Sequence, residues 1–432
     1  MNKNKFLFTV ASSFLLLGGL TSCGAKHTMK REDFIKDDKL DYLYDVTYND
    51  YSWDDVTDWM NSKKNVNSNQ GGFGCSSIHY DNFYGRSFDF CFTKMNEFLV
   101  KTKNENGHFA SVGISIADCN LTDDRMQKII AGTGDEKDKT IEKLIPFGTV
   151  DGINENGVVC NTNVVPAHDL DPLEGQTEYH TTGTNPGKPD LFYQFMPRFI
   201  LDNATSAKHA VQLLKERNLT AVNKKGEVCD LFGVAKMGYE LHCMIADKDE
   251  TYVIEMVDNQ MIVLKSGSHV MTNYYLSNMS ATGQGFERYA ILFDHWQDWN
   301  NPNEGEDCSL DAMKVAIHDV MYSEAYNPAL HPKDVKNCPK WPTEFAGSGV
   351  PFYKAQEECQ KRWDEGTLEP ALRKNYDRVK DPKTGERYEP TDKNIPWIST
   401  HAEVFDIENR TLHLVTQEAE VNDQYDFKEF KL

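Results

Sequence analysis

Positive charge is in short supply in this sequence. Lysine and arginine number 46 against 67 acidic residues in 432, giving a formal net charge of −21 with no basic block to interrupt it. A surface of that sign repels phosphate backbones, so nucleic acid is not an expected partner. The chain has no Cys-x-x-Cys pair and no histidine cluster of metal-ligand spacing, so no metal site or other cofactor is expected. Internal repeats and long low-complexity runs are absent too. What remains is 39% hydrophobic and 11% aromatic residues, enough for one large globular domain or two ordinary ones.

The chain opens with Lys3 and Lys5, an apolar stretch of about 15 residues from Phe6 to Leu20, and the run Leu20-Thr21-Ser22-Cys23. The stretch is short for a membrane span and has the flanks of an export signal. Its closing residues resemble a bacterial lipobox, in which the cysteine is acylated and becomes the mature N-terminus. Residues 1–22 therefore read as a removable signal and Cys23 as the lipidation site. The protein is expected to be exported and held to the membrane, in the periplasm or at the cell surface.

Of the ten cysteines, setting aside Cys23 and Cys75 leaves eight, an even number in a chain that leaves the reducing cytosol. Disulfides are open, but spacing pairs none of them. Cys160 and Cys243 lie in apolar strand-like runs, where a buried free thiol serves equally well.

Residues 23–74 read as a polar, partly ordered pro-segment whose Tyr42, Tyr44, Tyr48, Tyr51 and Trp53 could dock a short helix on the body. It ends in the flexible run Gly71-Gly72-Phe73-Gly74. From Cys75 onward, strand patterns cover Ser76–Tyr80, Ser87–Phe92, Glu97–Val100, Phe109–Ile116, Gly157–Val165, Leu241–Ala246, Tyr252–Val257, Met261–Lys265, His269–Tyr274, Ala402–Ile407 and Thr411–Thr416. Helical periodicity covers Leu191–Leu201, Ser206–Glu216, Phe286–Trp299, Leu310–Tyr322 and Tyr353–Trp363. Short turns such as Asp247-Lys248-Asp249-Glu250 favour antiparallel hairpins. Helices arriving in blocks point to a layered α+β fold, not a doubly wound parallel sheet. Residues 300–395 look like an irregular insertion in a catalytic domain running from 75 to 432.

Ten residues beyond Cys75 comes Gly85-Arg86-Ser87-Phe88-Asp89-Phe90, which sets an arginine and an aspartate inside an apolar strand. Such charges are rarely buried unless paired or serving a polar site. A thiol that attacks an amide needs a base and donors for the oxyanion. Cutting the Gly74–Cys75 bond would supply the base as the α-amine of Cys75 itself, whose ordinary pKa lies near neutrality.

These residues carry a resemblance. Gly74-Cys75-Ser76 followed by Gly-Arg-Ser-Phe-Asp-Phe resembles the start of N-terminal-nucleophile hydrolases of the choloylglycine hydrolase group. That group includes bile salt hydrolases, penicillin V acylases and acyltransferase-like proteins. Gly152-Ile153-Asn154-Glu155-Asn156-Gly157-Val158 leading to Asn161-Thr162-Asn163 resembles a later segment. So do His269-Val270-Met271-Thr272-Asn273, Gly285-Phe286-Glu287-Arg288-Tyr289 and the closing strand from Trp397 to Asp406.

The resemblance implies a four-layer αββα sandwich of two mainly antiparallel sheets flanked by helices. It implies an autocatalytically exposed Cys75 as nucleophile and, through its amine, as base. Asp89 would fix thiol and amine, and Arg86 would lie beside them. Asn163 and Asn273 would be the oxyanion-hole and amine-holding residues, and Arg288 the last member. The residues by themselves leave other uses open: a structural Arg86–Asp89 ion pair, asparagines that serve turns, and Arg288 facing solvent. The implied function is hydrolysis of a small linear amide, with bile salts, penicillin V and N-acyl amides all open as substrates. Transfer of the same acyl group to an amine is an alternative, as is a non-catalytic surface-binding lipoprotein. The pro-segment could stay bound as a second chain, and homo-oligomerisation stays open.

Overall fold

The computed structural model describes residues 35–37, 40, 43–49, 51–62, 73–90, 96–103, 107–117, 121, 123–166, 181–231, 239–265, 269–277, 286–301, 307–321, 398–416 and 427–432.

Two sheets face each other. With strands numbered in chain order, the first runs β1 (Ile35–Lys36), β2 (Leu43–Tyr48), β5 (Glu97–Thr102), β6 (Ser111–Ser115), β7 (Thr149–Asn154), β8 (Val159–Pro166), β11 (Tyr239–Ala246), β12 (Thr251–Val257), β13 (Gln260–Lys265). The second runs β14 (Val270–Met271), β3 (Phe73–Tyr80), β4 (Phe83–Phe90), β15 (Ile398–Asp406), β16 (Thr411–Thr416), β17 (Lys428–Lys431). A short pair, β9 (Asp190–Phe192) and β10 (Asn218–Thr220), stands apart. Among the described residues, only β2 with β5 and β9 with β10 pair in parallel; the other pairings are antiparallel.

Helices α4 (Met196–Asn203) and α5 (Ala207–Lys215) cover the first sheet, against β7, β8, β11 and β12. On the second sheet, α6 (Phe286–Trp299) lies on β3 and β14, and α7 (Leu310–His318) on β4 and β15. The close seating of α7 needs Gly85, because a Cβ there would stand 2.5 Å from Ile317. The architecture is thus the expected four-layer αββα sandwich of two mainly antiparallel sheets flanked by helices. Between the sheets, Leu99, Val112, Ile114, Ile153 and Met244 meet Tyr84, Met271, Phe405 and Leu412 in one apolar cluster. Strands β7 and β16 are buried along their whole length, as expected where both faces are covered.

Most expected elements appear within a few residues of their sequence boundaries, and α6 matches Phe286–Trp299. The stretch expected to be helical from Leu191 starts later. Asp190–Phe192 pairs with Asn218–Thr220 as a strand, a 3-10 turn follows at Tyr193–Phe195, and α4 begins at Met196 with Pro197 in its first turn. Helices α2 (Asp123–Ile130) and α3 (Glu136–Leu144) were not expected. Cys75, Cys160, Cys229, Cys243 and Cys308 are free thiols. The expected helix at Tyr353–Trp363 and most of the 300–395 insertion lie outside the described residues, as do residues 1–34.

The segment before Cys75 is built into the body. Strand β2 pairs with β5 from Leu43 opposite Glu97 to Tyr48 opposite Thr102. Helix α1 (Trp53–Asn61), capped by Ser52, lays Val56 and Trp59 into the same apolar cluster as Phe192, Phe195 and Cys75. The Trp59 ring sits 5.4 Å from Phe192 and 5.7 Å from Phe195. The Tyr51 hydroxyl and Trp53 Nε1 both donate to the buried carboxylate of Asp202. Lys101 pairs with Asp45 at 2.6 Å and Lys428 with Asp37 at 2.5 Å.

Truncation of a buried tryptophan typically costs about 3–5 kcal/mol. Trp59→Ala should therefore lower the denaturant midpoint of the whole chain in one transition. A separate early transition, confined to the N-terminal segment, would show that this segment is not part of the core.

Candidate active site

The site forms because β3, β4 and β15 lie side by side in register. Cys75 pairs with Phe88 and Phe88 with His401; one row along, Ser77 pairs with Arg86 and Arg86 with Glu403. Side chains two residues apart share a face of a strand, so all six point the same way, toward the first sheet.

Cys75 is 1% exposed, and each part of it is held. Its backbone N–H donates to Asn273 Oδ1 at 2.8 Å. Arg288 Nη1 donates to its carbonyl oxygen and, at 2.7 Å, to Ser76 Oγ. Arg288 Nη2 donates to Asn273 Oδ1 at 2.6 Å, and Nη1 lies 3.4 Å from Asp89 Oδ2. The hydroxyls of Ser87 and Ser399 donate to Asp89 Oδ1. Arg86 Nη2 lies 4.0 Å from Cys75 Sγ and donates to the Thr162 carbonyl at 2.9 Å, while Nη1 forms an ion pair with Asp151.

Burial pushes the Cys75 thiol up from its ordinary value. Arg86, the Asp89 backbone N–H and Arg288 oppose this, and the Asp89 charge adds to it. Burial also raises the Asp89 carboxyl, against the pull of Arg288, Ser399, Ser87 and Arg86.

All six residues singled out in the sequence are buried. Cys75, Arg86, Asp89, Asn273 and Arg288 meet directly. Arg86 and Asp89 do not pair with each other: Arg86 goes to Asp151, Asp89 to Arg288. Arg288 faces the core at 1% exposure, not solvent. Asn163 sits one layer back. Its Nδ2 donates to the carbonyls of Met271 (3.3 Å) and Thr272 (3.2 Å), and its Oδ1 accepts from Asn161 Nδ2 at 2.7 Å. Asn273 Nδ2 donates to the Val164 carbonyl at 2.9 Å, which ties β8 to the cysteine.

The sequence reading missed Asp151, Glu97, His401, Glu403, Ser87 and Ser399. A signal existed for His401 and Glu403, since polar residues alternate with Ala402 and Val404 in a strand, the same pattern that marks Arg86 and Asp89. Behind Arg86, His401 Nδ1 lies 2.8 Å from Glu97 Oε1 and Nε2 lies 3.1 Å from Asp151 Oδ2. Asp151, His401 and Glu403 each offer an atom within 4.8 Å of the others, a spacing that could hold a cation. Within this cluster the Arg86 guanidinium pairs with Asp151, and Glu403 lies opposite Arg86 in register on the neighbouring strand.

The sequence profile of the linear amide C-N hydrolases, choloylglycine hydrolase family, matches residues 75–315, more than half of the chain. The chain belongs to the choloylglycine hydrolase family. The match begins at Cys75. Among solved structures, similarity is found to the conjugated bile acid hydrolase from Clostridium perfringens, at 13% identity and TM-score 0.38 over 83% of this chain and 92% of that one. It is also found to the penicillin V acylase from Agrobacterium tumefaciens, at 14% identity and TM-score 0.34 over 79% and 82%. No curated protein matches in sequence. This choloylglycine hydrolase family member is a linear amide C-N hydrolase, and a small-molecule amide is the class of substrate that goes with it.

Burial pushes the Glu403 carboxyl up to about 7, and neither of its oxygens has a hydrogen-bond partner among the described residues. An unfolded glutamate gives up its proton near its ordinary value of about 4.3, whereas the folded one keeps it until near neutrality, so stability falls as pH rises through that window. The full penalty, roughly 4 kcal/mol, applies above pH 7. Glu403→Gln should therefore melt higher than the parent at pH 8 and close to it at pH 4.5. Equal differences at both pH values would show that Glu403 does not titrate between them.

Proposed function

We propose that this hydrolase works through Cys75 as an N-terminal nucleophile, exposed when the chain cuts its own Gly74–Cys75 bond. The observation that carries the reading is the convergence of Arg86, Asn273, Arg288 and the Asp89 backbone on the sulfur, nitrogen and carbonyl of one residue. The nitrogen that Asn273 holds as an amide is the atom that becomes the amine. Asp89 lies beside it through Arg288, which shares Asn273 Oδ1 with the Cys75 nitrogen.

In the reaction the free α-amine takes the thiol proton, and the thiolate attacks the amide carbonyl. Of the two family-pattern asparagines, Asn273 lies against Cys75 and is the oxyanion donor in this reading, while Asn163 braces it through the 271–272 backbone. Collapse breaks the C–N bond, the leaving amine departs with the proton from the ammonium, and a thioester remains. Water, activated by the same amine, hydrolyses the thioester and restores the thiol. Bile salts, penicillin V and other N-acyl amides are the substrates to assay, with an added amine to detect acyl transfer.

Replacing Cys75 by Ala should abolish both self-cleavage and hydrolysis, and Asp89→Asn should lower kcat by orders of magnitude in a protein that still folds. Full activity of Cys75→Ala on the amide panel would overturn the mechanism.

The division of the chain follows from the same reading: a signal over 1–22, a lipid-anchored segment over 23–74 and a catalytic domain from 75. The contacts of β2 and α1 support retention of the 23–74 segment after the cut, non-covalently, as a second chain. That segment would tether an exported enzyme to the membrane through Cys23. With an epitope tag after Leu432, the cut catalytic chain should sediment with membranes and leave them under mild denaturant. Recovery of all the cut chain in the soluble fraction under native conditions would refute the tether.

A further inference from the structure

The buried groups behind the nucleophile form a chain of their own. Glu97 on β5 holds His401 Nδ1 on β15, His401 Nε2 meets Asp151 Oδ2 on β7, and Asp151 pairs with Arg86 on β4. Arg86 in turn points Nη2 at the Cys75 sulfur. The four side chains of this chain come from both sheets, and all are fully buried. Phe88 fills the row between Cys75 and His401: its ring stacks on the imidazole at 5.0 Å, and the Arg86 guanidinium lies 4.8 Å from its centroid.

Asp151 is the hinge of this arrangement because its two oxygens meet three groups. Oδ2 forms the ion pair with Arg86 Nη1 and lies 3.1 Å from His401 Nε2, and Oδ1 accepts from the Ile114 backbone N–H at 3.1 Å. A carboxylate offers acceptors on both oxygens, matching an ion pair on one and a backbone N–H on the other. Its isosteric amide would turn an N–H₂ group toward one of those donors and release either the guanidinium or the strand.

The mechanism above uses Arg86 but leaves its partners without a task. We propose that Asp151, clamped by His401 and Glu97, is the positioning residue that holds the Arg86 guanidinium against the Cys75 thiol and so sets how readily that thiol ionises. The inference rests on Cys75 being the reactive thiol, and its sign separates it from a plain charge effect. Asp151 is an anion near the sulfur, so by Coulomb's law alone its neutralisation would favour the thiolate. If its main task is to hold Arg86, neutralisation loosens the guanidinium and disfavours the thiolate. Glu403 supplies the contrast. It faces Arg86 across the strand and has no hydrogen-bond partner among the described residues, so its charge acts on the thiol without holding anything in place.

The test is the pH dependence of alkylation of the Cys75 peptide by iodoacetamide in the purified protein, followed by mass spectrometry. Asp151→Asn should slow alkylation at pH 7 about tenfold and move its midpoint up by about one unit, while Glu403→Gln should move it down. His401→Gln should act in the same direction as Asp151→Asn but more weakly, and it reads the same link if Asp151→Asn does not fold. Alkylation of Asp151→Asn, or of His401→Gln in its place, at the parent rate or faster would overturn the positioning role. Because alkylation reports on the thiol directly, it tests the network even if Cys75→Ala turns out to retain hydrolysis, an outcome that would sink the nucleophile reading on its own.

Discussion

A guanidinium cannot shed its proton, so when it leaves water its charge has to be met inside the protein. This chain buries two of them on either side of one cysteine. Arg288, delivered by α6, is met by Asp89, Asn273, Ser76 and the Cys75 carbonyl. Arg86, from the middle of β4, is met by Asp151 and the Thr162 carbonyl. The two cations hold the backbone and the sulfur of Cys75 from different sides. Removing either carboxylate would strand a buried charge, and this explains why the polar groups around the cysteine are so densely interlocked.

That requirement reaches into the topology. Arg86 meets Asp151 only if the two sheets face each other with β4 over β7, and Asp89 receives Ser399 only if the last part of the chain returns as β15 beside β4. The N-terminal segment adds a third constraint. Its strand β2 covers the edge of β5, the strand that brings Glu97 to His401. A segment that reads as a partly ordered pro-segment therefore supports the far end of the network behind the thiol.

Much of this was legible in the sequence where the signal is local. The hairpins, α6 and the charged pair at Arg86 and Asp89 follow from periodicity and from the cost of burying charge. Which charge meets which was not legible, although the family pattern did bring Arg288 to the site. Asp151, His401 and Arg288 lie tens to hundreds of residues from Arg86 and Asp89, and which faces which depends on strand order and register, which no local pattern encodes. Helices α2 and α3 escaped for a different reason: their charged residues outnumber the few apolar ones, Met126, Ile129, Ile141 and Leu144, that face the core. The asparagines show the limit of pattern alone. Asn273 touches the cysteine directly, whereas Asn163 braces β8 against the backbone of 271–272.

The central claim is that the chain is cut before Cys75 and that both pieces stay together. Intact-mass measurement of the protein purified under native conditions, combined with N-terminal sequencing, tests it most directly. The account predicts two co-purifying chains, one beginning at Cys75 and one ending at Gly74. A single uncut chain that hydrolyses amides at full rate would contradict it.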